Sequence, residues 1–167
     1  MAEKHPIKNL EELFVDTLKD LYDAETQITK ALPKMTEQAT SPDLKAGFQE
    51  HLEVTHRQRE RLERIFTEMK VSPEGKKCVG MQGLIREGSE VMQETADPDV
   101  KDAAMIAAAQ KIEHYEISGY GTARAYARQL GHENFAKILE TTLSEEEMTD
   151  KKLTKIAEGH INRQAKR

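Results

Sequence analysis

Apolar residues at the start of the chain recur at intervals of four and three, Leu10, Phe14, Leu18, Leu21, Ile28, Leu32 and Met35, and the one member of that series that is not apolar is Glu25. The spacing is that of a long helix with one face in a core. A carboxylate in the middle of such a face constrains the fold strongly. Unpaired and withdrawn from water it is very costly, so it must be protonated, paired with a cation or bound to a metal.

Three further long segments repeat the pattern. Asn9 followed by Glu12 resembles a capping box and opens a first helix to about residue 39, with Pro33 inside it. Ser41-Pro42 and Asp97-Pro98 each put a capping side chain before a proline at the first helical position, and open helices over about 42–70 and 98–130. Gly131 closes the latter, and a last long helix covers about 133–161. Between the two pairs, Val71 to Lys77 is a loop, and Val79, Met81, Leu84, Ile85, Val91 and Met92 mark a shorter helix over about 79–95.

The chain has no tryptophan, 5% aromatic residues and many helix formers, so the 167 residues are expected to form a single all-α domain, 1–167. The order long, long, short, long, long predicts a ferritin-like four-helix bundle: two antiparallel hairpins joined by a long crossover that contains the short fifth helix. An up-down bundle with a decorated loop has the same order of lengths.

A net charge of -5 gives no global field to gather nucleic acid, and only Arg163 to Arg167 form a short basic tail. Cys78 is the only cysteine, which excludes a disulfide within the chain and a four-cysteine zinc or rubredoxin-type iron centre. A reducing compartment follows. The N-terminal stretch MAEKHPIKNLEELF lacks the apolar run of a signal peptide, and no later segment reaches membrane-span length, so a soluble cytoplasmic protein is expected.

The other long helices carry acids in their seams as well. On the last one the stripe reads Leu139, Leu143, Glu146, Asp150, Leu153, Ala157; on the third, Glu113 shares a row with Ile106, Tyr120 and Ala127, and Glu116 an adjoining row with Ala109, Ala123 and Leu130. Glu25, Glu116 and Glu146 each lie about 15 residues from a hairpin turn, which at ~1.5 Å per residue sets them at one level. Such convergence is what a dimetal-carboxylate centre needs. A set rich in oxygen and poor in imidazole favours iron or manganese over zinc or copper.

The second helix leaves two alternatives. Glu53 and His56 have the Glu-x-x-His spacing and the right height, but the row Phe48, Thr55, Leu62, Met69 turns them away from the seam. His51 has the better facing and the poorer height. Against a metal stands an ion-paired core held by a buried Lys or Arg, for which Arg59 lies near the row of the second helix, and Glu145 to Glu147 also read as mostly a solvated face. Tyr22, Tyr115 and Tyr120 lie near the proposed centre with packing roles, and His114 beside Glu113 reads as exposed or supporting.

DLYDAETQITKALPKM (Asp20 to Met35), KCVGMQGLI (Lys77 to Ile85), FQEHLEVTHRQRERL (Phe48 to Leu62), AAAQKIEHYEISGYGTARA (Ala107 to Ala125) and EEMTDKKLTKIA (Glu146 to Ala157) together resemble the YciE/YciF-type ferritin-like bacterial proteins. The resemblance implies a ferritin-like bundle, a homodimer and a link to bacterial stress responses, without a settled activity. Glu25, Glu113, Glu116, Glu146 and Asp150 match the core acids of that family, and His51 and His56 fall in its HLExTH-like segment. The wider diiron superfamily has histidine near position 150, where this chain has aspartate.

Three functions compete. The first is a redox enzyme, a diiron peroxidase or ferroxidase-like oxidoreductase reducing peroxide or oxygen with an external reductant, Glu113 or Glu116 being the mobile ligand. The second is mini-ferritin-like iron binding, which requires a hollow shell. The third is a non-catalytic stress protein whose core is stapled by metal or held by ion pairs.

Overall fold

The computed structural model describes residues 6–167; the first five residues of the N-terminal stretch expected not to be a signal peptide lie outside that range. Within it every regular element is a helix: α1 Leu10–Gln38, α2 Pro42–Met69, α3 Val79–Glu94, α4 Pro98–Gln129 and α5 Glu133–Ile156, the last continued by a π-helical turn Ala157–Ile161 and a short α6 Asn162–Ala165. No helix among the described residues is long and apolar enough to cross a membrane.

The caps act as their chemistry dictates. Asn9 Oδ1 accepts from the Glu12 amide at 2.9 Å, Ser41 Oγ from that of Leu44 at 3.4 Å, and Asp97 Oδ1 from those of Asp99 and Val100. Lys70 at φ 57 ends α2, and Gly131 at φ 79 turns the chain from α4 into α5. Pro33 faces solvent and α1 runs on through it, leaving Met35 buried in phase.

Cross-helix contacts fix the directions. The start of α1 meets the end of α4, where Glu11 Oε2 lies 3.3 Å from His132 Nε2; its other end meets the start of α4, where buried Asp102 accepts from the Thr40 and Ser41 amides at 2.8 and 2.7 Å. Likewise Glu50, early in α2, pairs with Lys152 late in α5. Both α1 with α4 and α2 with α5 are therefore antiparallel, as the hairpins α1–α2 and α4–α5 are. It follows that α2 and α4 run parallel, so their connection must travel the length of the bundle. That excludes the up-down alternative and gives α3 its place, laid along α4 and α1.

The apolar core is divided in two. One cluster contains Ile28, Leu32, Phe48, Ile112 and Leu153; the other contains Leu21, Leu62, Tyr120 and Leu143. On every long helix the gap between the two clusters is where the polar seam residues fall.

Candidate metal centre

All four long helices contribute to that gap. Glu25 comes from α1, His51 and Gln58 from α2, Glu113 and Glu116 from α4, and Glu146 from α5, with Tyr120 at the edge of the second cluster, and all are buried. A ring nitrogen of His51 and one oxygen each of Glu113, Glu116 and Glu146 lie within 4.8 Å of one another. His51 Nε2 is 3.2 Å from Glu113 Oε1 without the alignment of a hydrogen bond. The Tyr120 hydroxyl donates to Glu25 Oε1, and Gln58 Nε2 donates to Glu146 Oε1 and, at 3.1 Å, to Glu145 Oε2.

The electrostatics follow from putting like charges where water cannot reach. Burial pushes the Glu25 carboxyl up to about 8, with Glu146 adding to the rise and Tyr120 and His51 opposing it. Burial also carries Glu113 to about 8. Glu116 and Glu146 are raised well above the usual range, first by burial and then by their acidic neighbours. A group of acids so raised holds protons at neutral pH unless a cation replaces them.

The donor set fits such a cation. Glu25 Oε2, Glu113 Oε2, both oxygens of Glu116, Glu146 Oε2 and both ring nitrogens of His51 are buried without a hydrogen-bond partner. Orphaned buried acceptors call for an explanation, and hard carboxylate oxygens with one imidazole suit iron, manganese or zinc chemically. Arg59, the cation singled out from the sequence, lies instead at the flank, 3.4 Å from Glu63, and Arg61 is forked onto Glu145 at 2.5 and 2.8 Å.

Of the second-helix alternatives, His51 enters the cluster while Glu53 and His56 are exposed and stand outside it. Facing overrides height because the cluster is not one flat layer. Glu113 precedes Glu116 by three residues on α4, which runs antiparallel to α1, a step of ~4.5 Å toward the first hairpin turn, and there it meets His51. Asp150 also stands apart from the four. Its carboxylate is partly exposed, accepts from Gln110 Nε2 at 3.0 Å and lies 3.3 Å from the ring of exposed His114.

Gln58 was not singled out by sequence reasoning, although the signal was present. Leu44, Phe48, His51, Thr55, Gln58, Leu62 and Ile65 alternate by four and three like the other seams, and all are buried. Among the tyrosines, Tyr120 is inside the centre, whereas Tyr22 donates to Glu63 at 2.9 Å and Tyr115 to Asp20 at 2.5 Å. A cavity of about 20 Å³ between Ile28, Phe48, Ile112 and Leu153 reaches His51 and Glu113, with room for a water-sized molecule.

Comparison with known proteins agrees with the architecture. A family model described as a domain of unknown function, DUF892, matches residues 9–166. Protein YciF of Escherichia coli (strain K12) is 45% identical over 160 residues, covering 95% of this chain and 96% of that protein. The crystal structure described as the E. coli stress protein YciF superposes with a TM-score of 0.89 over 93% of this chain and 99% of that one. A Rhodopseudomonas palustris protein, YcfI, described as a candidate structural protein, is 46% identical with a TM-score of 0.87 over 92% of this chain and 97% of that one.

Proposed function

The chain belongs to the DUF892 family, and from that premise we propose that it is a metal-carboxylate protein of the bacterial stress response. The observation that carries this reading is the set of unpartnered, fully buried ligand atoms on His51, Glu113, Glu116 and Glu146, with Glu25 beside them. The E. coli relative is described as a stress protein, which supports the physiological setting. We further propose that the site takes two divalent ions, iron in preference to manganese, within a cytoplasmic homodimer.

Bound iron would supply electron transfer to peroxide or dioxygen, with an external reductant restoring it, since Cys78 alone cannot hold an iron-sulfur donor. The protein's own groups set the conditions for that chemistry. Tyr120 fixes one oxygen of Glu25 and Gln58 fixes one of Glu146, so those two carboxylates are oriented before any ion arrives. Neither oxygen of Glu116 is anchored by a donor of this kind, which makes Glu116 our choice for the ligand that shifts as charge changes. The two apolar clusters on either side exclude bulk water.

A second reading, a non-catalytic stress protein stapled by the same metal, draws on the burial of the whole site and on the description of the R. palustris relative. Elemental analysis after anaerobic purification, with peroxide and dioxygen consumption followed in the presence of electron donors, tests both. We expect bound iron, its loss in His51→Ala, and turnover. Bound metal that raises the melting temperature with no consumption under any donor would favour the staple, and protein that never retains metal would refute both.

A further inference from the structure

Where α3 leans on α1 and α4 it leaves a groove of about 310 Å³. Its walls are mainly apolar, with Met35 from α1, Leu84, Ile85 and Met92 from α3 and Ile112 from α4, and Gln27, Gln38 and Ser89 are the neutral polar residues among them. Those α3 side chains are only partly covered, since Met81 and Gly88 alone are buried on that helix. Gly88 lets α3 approach α4 closely beside the groove, because a Cβ there would lie 3.0 Å from Ala108 Cβ. On either side of that contact the larger side chains hold the walls apart, and Leu84 to Met92 give the trough a length of ~12 Å.

The rim is basic. Lys30 and Lys34, one turn apart on α1, line the mouth. Lys76, Lys111 and Lys152 each meet an acid, Asp16, Glu87 and Glu50 respectively. Among the described residues no ion pair within 4.0 Å involves Lys30 or Lys34. Two unneutralised ammonium groups above an apolar trough, in a chain of net charge -5, complement a ligand with one anionic end and a hydrocarbon body.

We propose that this groove binds a fatty acid, its alkyl chain lying between α3 and the α1/α4 face and its carboxylate held by Lys30 and Lys34. This is a second site, independent of the metal centre. The two are neighbours, since Ala31, Met35 and Ile112 line both the groove and the small cavity that reaches His51 and Glu113.

The test uses the full chain, with and without metal, and a dansylated undecanoate probe displaced by laurate. We expect saturable displacement in both metal states. Lys30→Gln with Lys34→Gln should weaken laurate by roughly tenfold, and Ile85→Glu should abolish it while circular dichroism stays unchanged. The lysine pair is exposed, so its effect stands even if Ile85→Glu fails to fold. Failure of laurate to displace the probe overturns the proposal. So does equal binding of dodecanol or dodecyltrimethylammonium, which would make the basic rim irrelevant. Light scattering showing a dimer that Ile85→Glu splits, with laurate binding only to the monomer, would assign the groove to a second copy of the chain instead.

Discussion

Glu116 is fully buried and neither of its carboxylate oxygens has a hydrogen-bond partner. An acid in that position is tolerated either as a proton carrier or as a ligand, and the two roles respond oppositely to an amide. Glu116→Gln removes a buried acid crowded by Glu25, Glu113 and Glu146. We expect the metal-free variant to gain about 1–3 kcal/mol in urea denaturation, while its metal affinity falls by about tenfold or more in chelator competition. A variant that keeps wild-type affinity would remove Glu116 from the ligand set. Height was the weaker guide to such residues, as Glu53 and His56 show: residues that differ by a few positions along a helix differ little in level but greatly in facing.

Among the elements, α3 has the least covered apolar face, and its glycines make different demands. Gly83 sits in the helix with nothing near its missing Cβ, so Gly83→Ala should stabilise by up to about 1 kcal/mol through helix propensity. Gly80 faces the Tyr115 ring, which a Cβ would approach to 2.7 Å, and that ring is anchored by its hydroxyl to Asp20 and to Cys78 Sγ at 3.0 Å. Gly80→Ala should therefore destabilise by about 1–3 kcal/mol. Thermal melts of the two variants measure the contrast; a Gly80→Ala protein as stable as wild type would mean that Tyr115 is not held. Where α3 begins was legible from the loop before it and the apolar run that follows. Which face it lays on the bundle was not, because Val79 and Val91 look as apolar as Met81 yet remain exposed.

Over the whole molecule, the buried acids tie stability to pH. Glu25 and Glu113 have carboxyls at about 8 in the folded chain against 4.5 for a glutamate in water, so the folded state keeps protons that the unfolded state has already released. Their contribution to the stability of the metal-free protein is thus full below about 4.5 and is lost as pH rises through about 8, by about 1.4 kcal/mol per pH unit for each proton involved. A bound cation displaces those protons, so metal affinity should rise over the same interval and saturating metal should flatten or reverse the trend. Urea midpoints measured across that range with and without metal check both signs; a metal-free protein that grows more stable with pH would contradict the buried cluster. The all-helical bundle, its caps and the inward facing of Glu25, Glu113, Glu116 and Glu146 were determined by the sequence alone, because period and capping are local properties of a helix. Only the tertiary structure decided that α2 and α4 run parallel, that His51 rather than Glu53 and His56 meets Glu113, and that Asp150 stands at the rim. Those outcomes depend on how neighbouring helices are rotated and slid against each other, which no single helix encodes.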